Sequence, residues 1–164
     1  SNTNKKHVVM QRKTLLRVLF IIGAFTALTF ASCSNEDPAD VVNPYNIRFK
    51  TELKVESDNS YLIPAKGGTY TFDIYNGEPW LAMVKEWFDG KSTVYNTETG
   101  RSYKMEALWA TADIEKQGPN SEKLTVKIEP SNKDKFRYVY VVVSNGMKSK
   151  VFVFKQLGIC ADKK

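Results

Sequence analysis

The chain is expected to fold as an all-β, immunoglobulin-like β-sandwich of about seven strands. Three observations lead there. From residue 47 onward apolar residues recur at every second position. Turn-forming pairs interrupt that alternation at regular intervals, and no segment after residue 33 sustains a helical stripe. Period two marks half-buried strands, and many short strands with regular turns mark a sandwich. One domain over residues 47–158 is long enough to bury a core without disulfides.

The elements follow in order. Ile47, Phe49, Thr51, Leu53 and Val55 alternate with Arg48, Lys50, Glu52, Lys54 and Glu56, which predicts a first strand. Asp58-Asn59-Ser60 breaks it. Gly67-Gly68 opens a second strand with Tyr70, Phe72 and Ile74 on one face, and Asn76-Gly77 closes it. Trp80 to Trp87 supplies a third, with Trp80 expected in the core. An additional strand or hairpin is expected between Tyr103 and Ile114, and Leu124, Val126 and Ile128 form another strand. Phe136 to Ser144 and Val151 to Phe154 are joined by Asn145-Gly146, a pair suited to the positive φ angles of a type I′ turn. The run Tyr138 to Val143 suits a central strand covered on both faces.

The segment before the domain has a different logic. Arg12, Lys13 and Arg17 precede an apolar stretch from Val18 to Phe30, then the small residues Ala31 and Ser32, then Cys33. Basic, apolar, then small is the layout of a secretory signal peptide. With cysteine at the cut, residues 1–32 resemble a bacterial lipoprotein signal, with Phe30 where that family usually has leucine. The apolar stretch has 13 residues, whereas a membrane-spanning helix needs about 20. The resemblance implies lipidation of Cys33 and anchoring to a membrane, and several acyl chains make such an anchor durable. Residues 33–46, with Pro38 and Pro44, read as a tether. Glu36-Asp37 is similar to the export signals of surface lipoproteins in the Bacteroidetes, which implies an outer-membrane, cell-surface location; a plain solvated linker reads equally well. Residues 159–164 form a tail.

Removing the signal changes the charge. The whole chain is +6, but from Cys33 onward it carries 19 basic and 18 acidic side chains. The basic excess therefore gives no reason to expect a nucleic-acid partner. The single histidine, His7, also lies upstream, so the domain lacks the histidine of Ser-His-Asp or Cys-His catalysis and of histidine-ligated metal sites. Cys160 stands alone near the C-terminus, short of a disulfide or a zinc cluster. There is no Walker loop, GxGxxG or EF-hand loop. Glu86, Asp89 and Glu106 are carboxylates of the type a glycosidase pair uses, but their spacing says nothing about their separation in space, and surface charge is the plainer reading. No enzyme and no cofactor are expected.

Two segments carry a resemblance to a known family. In "IPAKGGTYTFDIYNGEPW" (Ile63 to Trp80) a Gly-Gly turn leads into an alternating strand, then an asparagine and a tryptophan. In "LTVKIEPSNKDKFRYVYVVVSNGMKSKVFVFKQLG" (Leu124 to Gly158) a strand leads to Asn132, then Arg137 opens a hairpin ending in Gln156-x-Gly158. Together they resemble the BACON domain (Bacteroidetes-associated carbohydrate-binding, often N-terminal). The resemblance implies a non-catalytic module that binds carbohydrate such as host mucin or dietary glycan. Many such domains serve instead as spacers.

The departure from that family is the long stretch 88–117, with turn signals at Asp89-Gly90 and Gly100. This stretch and its approach are rich in aromatic residues, and loops over a rigid scaffold often carry function. A pyranose presents an apolar face of C–H groups that stacks on a flat ring, while polar neighbours meet its hydroxyls. Trp87, Tyr95, Tyr103 and Trp109 are the stacking candidates, and Asp89, Asn96 and Arg101 the polar ones. Any of these aromatics is equally compatible with core packing. The function classes that remain are a glycan binder, a spacer or protein-binding accessory subunit of an outer-membrane complex, and an enzyme inhibitor acting through a loop.

Overall fold

The computed structural model describes residues 45–160 apart from residue 76. Cys33, the signal segment, Asn76, the tail beyond 160 and all but the last two tether residues lie outside the described residues. Tyr45, at the tether's end, is joined to the domain where its carbonyl accepts a hydrogen bond from Asn145 Nδ2 at 2.8 Å.

The described chain is all-β, with no helix and ten strands. They are β1 (Phe49–Lys50), β2 (Ser60–Ile63), β3 (Gly68–Ile74), β4 (Trp80–Phe88), β5 (Lys91–Tyr95), β6 (Lys104–Glu106), β7 (Ala110–Gly118), β8 (Ser121–Ile128), β9 (Arg137–Ser144) and β10 (Ser149–Gln156). Two five-stranded sheets result, in the orders β1-β3-β8-β7-β6 and β2-β10-β9-β4-β5. All pairings are antiparallel except β2 with β10.

Period two explains the core. Phe72 and Ile74 of β3, Leu124, Val126 and Ile128 of β8, and Ala110, Ala112 and Ile114 of β7 point inward from the first sheet. Tyr61, Ile63, Leu81, Val84, Val139, Val141, Val143, Phe152 and Phe154 point inward from the second. All belong to one buried cluster, so the sheets share a single sandwich-like core. Aromatic rings knit the layers together. Phe72 meets Phe152 at 4.6 Å and Tyr61 at 5.3 Å between centroids, while Phe49 meets Phe152 edge-on at 5.0 Å.

Several sequence expectations need correction. The first strand is two residues long, followed by a single bridge between Val55 and Tyr61. Asn59, at φ 61°, turns the chain back between them, and Asp58 Oδ1 accepts hydrogen bonds from the Ser60 amide and hydroxyl. The strand count is ten rather than about seven because β2 and β5 were not foreseen and the 103–114 region divides into β6 and β7. The Asn145-Gly146 hairpin exists, but Ser144 pairs with Ser149, which leaves a four-residue loop. Only Gly146 has a positive φ there, and Asn145 Oδ1 accepts from the Met147 and Lys148 amides. The two-residue turn with both φ angles positive is Asp89-Gly90, between β4 and β5. Gly67, at φ 73°, has no room for a Cβ beside the Ile128 carbonyl, so the Gly-Gly entry to β3 is sterically required.

Candidate binding face

The candidate residues do not form one loop-borne site, because the 88–117 stretch is shared between both sheets. β5 extends the edge of the second sheet, residues 96–103 cross over, and β6 and β7 join the first. The crossover is tied to the start of β4 by paired backbone hydrogen bonds between Leu81 and Ser102. Asn96 and Tyr103 are exposed, Tyr103 at 60 %. The Arg101 guanidinium lies 4.2 Å from the centre of the Trp80 ring. Trp80 is half-buried under that contact rather than part of the core.

Tyr95 and Trp109 serve the interior. They surround Glu86, a carboxylate only 1 % exposed on the inward side of β4. Glu86 accepts a hydrogen bond from the Trp109 amide at 2.6 Å and a longer one from the Tyr95 hydroxyl at 3.4 Å. Burial and the Glu86 charge push the Tyr95 phenol above its ordinary pKa. Arg137 completes this layer, its guanidinium 4.7 Å from the Trp109 ring centre. It donates to Gln156 Oε1 at 2.6 Å and to the Glu129 carbonyl at 2.9 Å. Burial pulls the Arg137 pKa down, with the Glu86 charge opposing. Gln156 in turn donates to the carbonyls of Ala65 and Glu129 at 3.1 and 2.9 Å. The arginine and glutamine that carry the family resemblance are thus clamps on buried backbone, a structural role.

Trp87 and Asp89 belong elsewhere. Trp87 is half-buried on the outward side of β4, and its ring neighbours are Phe136 and Tyr138, just before and within β9, a strand whose apolar run predicts cover on both faces. In the described residues β9 is buried on one side only. Arg137, Val139, Val141 and Val143 point in; Tyr138, Tyr140 and Val142 stand partly exposed on the outer surface. Trp87 lies near-parallel to Phe136 at 6.2 Å and tilted on Tyr138 at 5.6 Å. Phe136 meets Tyr138 at 5.4 Å, and Tyr138 meets Tyr140 at 5.9 Å. The outcome is a continuous aromatic row, Phe136-Trp87-Tyr138-Tyr140, on an open sheet face.

At one end of that row is a depression of about 400 Å³, lined by Trp87, Asp89, Asp134, Lys135, Phe136, Leu157 and Gly158. Asp89 projects from the β4–β5 turn and pairs with Lys135 Nζ at 2.9 Å. That hydrogen bond and charge hold the Asp89 carboxyl below its usual pKa and raise that of Lys135. Gly158 lines the depression because a Cβ there would strike the Asp134 carbonyl. Phe136, Tyr138 and Tyr140 are not among the binding candidates that the sequence offers, where they count only as strand residues. Their signal was an aromatic at every second position, 136, 138 and 140, beside the Asp89-Gly90 turn that brings Trp87 alongside.

A larger groove of about 630 Å³ runs along β1 and β3 and is lined by Lys50, Thr51, Glu52, Leu53, Thr69, Tyr70, Thr71 and Asp73. It offers one partly buried ring, Tyr70, among mostly polar and charged chains. Glu86, Asp89 and Glu106 occupy three separate settings: the buried layer, the depression, and an exposed pair with Lys104 on β6. Among the described residues no three His, Cys, Asp or Glu side chains group as a metal site.

No family model and no curated protein matches the chain. Among solved structures, an NMR structure of a protein from Bacteroides thetaiotaomicron is similar, with TM-score 0.54 and 24% identity over 75% of this chain and 94% of that one. A Bacteroides ovatus GH5 xyloglucanase in complex with a XXXG heptasaccharide matches at TM-score 0.36 and 16% identity, over 65% of this chain and 19% of that one. The first of these likenesses speaks for the fold alone.

Proposed function

We propose that this chain is a cell-surface lipoprotein of the outer membrane, anchored through Cys33, whose sandwich binds carbohydrate without cleaving it. The observation that carries the reading is the aromatic row Phe136-Trp87-Tyr138-Tyr140 with the Asp89–Lys135 pair at its end. Flat rings on a rigid sheet give a sugar's C–H face a large contact area at low entropy cost, and the charged pair offers donors and acceptors for its hydroxyls. The lipoprotein-type signal and the BACON resemblance point the same way. Host mucin and dietary polysaccharide are the ligand classes that the resemblance implies.

The strand order also supports the immunoglobulin-like reading. β1-β3-β8-β7 follows the order ABED, and β10-β9-β4-β5 follows GFC with an added C′ strand.

A protein-binding or spacer role is the second reading, and β5 favours it. It is the edge of the second sheet, and Lys91, Ser92, Thr93 and Val94 are all exposed, so its free backbone side is open to another strand.

The test is a glycan-array screen of the full chain in detergent, beside Trp87→Ala and Asp113→Ala, with folding checked by circular dichroism. Trp87→Ala should weaken binding about 30-fold, the loss expected of a central aromatic contact. Asp113→Ala, on the opposite face, should leave it unchanged. If no glycan binds, or both variants weaken binding equally, the carbohydrate reading is wrong and a protein partner takes its place.

A further inference from the structure

We infer that the aromatic face selects acidic glycans, chains bearing carboxylate or sulfate groups, over neutral ones. This rests on the carbohydrate reading above and adds the charge of its ligand.

The observation is a contrast in what the lysines stand opposite. On the outer face of the first sheet one cross-strand rung runs Lys50, Asp73, Lys123, Glu115, so each cation of that rung has an acid opposite it in register, although among the described residues none of the four forms a close ion pair. On the outer face of the second sheet Lys85 stands opposite Tyr140 and Val94, and Lys155 opposite Tyr138 and Leu62. Neither takes part in an ion pair among the described residues. Each ammonium rests instead against a ring, Lys85 at 5.2 Å from Tyr140 and Lys155 at 4.7 Å from Phe136. A ring face holds a cation in place without neutralising it, and leaves its outward N–H groups able to meet an anion.

Acidic groups are confined to the margin of this face. No outward position of β2, β10, β9, β4 or β5 carries a carboxylate. Asp89 is engaged by Lys135. Asp134 adds its charge to the same lysine. Asp58, which does feel Lys155, is turned to the amide and hydroxyl of Ser60.

The two lysines also stand at a useful separation. They lie on opposite sides of β9 and one rung apart, about 12 Å between backbone positions by ordinary strand spacing and rise. Tyr138 and Tyr140 lie between them. A sugar ring stacked on those phenols would carry an exocyclic carboxylate or sulfate ester toward one ammonium or the other. From Cys33 onward the chain carries nearly equal numbers of basic and acidic side chains, 19 and 18, so bulk attraction does not supply this preference.

Matched probes test it: polygalacturonate against its methyl ester, and dextran sulfate against dextran, titrated onto the full chain in detergent. Wild type, the double variant Lys85→Gln/Lys155→Gln and Trp87→Ala are compared, each checked for native circular dichroism. The acidic probe of at least one pair should bind about tenfold tighter at low ionic strength, and the advantage should shrink with added salt. The double variant should bind acidic and neutral probes alike, while Trp87→Ala should lose both. Equal binding of acidic and neutral probes by wild type overturns this inference and leaves the carbohydrate reading standing. An acidic preference that survives in the double variant also overturns it, because the charge then acts elsewhere. Binding of no probe overturns both readings.

Discussion

The outer face of the first sheet and that of the second have the same pleat and the same strand number, yet their side chains follow opposite rules. On the first, threonines and charges fill the outward positions of β3, and those of β8 and β7 up to the Gly118–Ser121 pair beside their turn. Thr71 pairs with Thr125 and Asp113 with Lys104, beside the Lys50-Asp73-Lys123-Glu115 rung. Cross-strand pairs of this kind contribute roughly 0.2–1 kcal/mol each, and every charge in that rung has an opposite neighbour. On the second, outward positions carry Trp87, Tyr138, Tyr140, Val142 and Val153, with two lysines that have no acidic rung partner. One face is complete in water as it stands. The other leaves ring area and charge to be met by something else, which is what a binding surface requires.

The comparison can be broken by attacking the layer that both faces share. Phe152 is 1 % exposed and packs on Phe72 of the opposite sheet and on Phe49. Phe152→Ala should cost about 3–5 kcal/mol, a large part of a domain's total stability. It should appear as a lower denaturant midpoint with unchanged slope. A loss under about 1 kcal/mol would mean that the two sheets do not depend on this contact.

Alkali gives the next largest effect. Tyr61, on the buried side of β2, has its phenol pushed up to about 12 by burial. The folded state keeps it protonated, so its contribution is complete below about pH 10 and is lost as the pH rises toward 12. That loss should be on the order of 2 kcal/mol. Tyr61→Phe should flatten this part of the pH–stability curve. An unchanged curve in that variant would shift the cause to other tyrosines; Tyr140 on the outer face is raised too, by burial and by Tyr138.

The smallest effect sharpens the contrast between faces. Asp73→Lys places three cations in a row between β1 and β8. It should destabilise by about 0.5–1 kcal/mol at low salt and less at high salt. Glycan affinity should not change, because the residue lies on the opposite face. A large loss of affinity would mean that the groove along β1 and β3 takes part in binding.

Much of this could be read from the chain because it rests on local pattern. Alternation placed β3, β4, β8, β9 and β10 to within a few residues, since a strand with one buried face must repeat every second residue. The Gly67-Gly68 entry was also visible, and Trp87 and Asp89 were each legible as candidates. The strands that escaped were β2 and β5. β2 has four residues and is held by parallel pairing with β10, about 90 positions further along the chain. β5, Lys-Ser-Thr-Val-Tyr, is an edge strand almost entirely exposed, so no apolar period marks it.

The site divides along the same line. Trp87, Tyr95 and Trp109 are equivalent as sequence: aromatics near turn signals in one elaborated stretch. Tertiary structure separates them, sending Tyr95 and Trp109 to the buried Glu86 and Trp87 to the open face with Phe136, Tyr138 and Tyr140. Composition and period by themselves determined that the domain is all-β, where most strands lie, and that histidine chemistry is absent from it. Which aromatics meet solvent was decided only when strands far apart in the chain became neighbours. The physical reason is that alternation specifies that a strand has two faces, while exposure depends on what the rest of the chain lays over each of them.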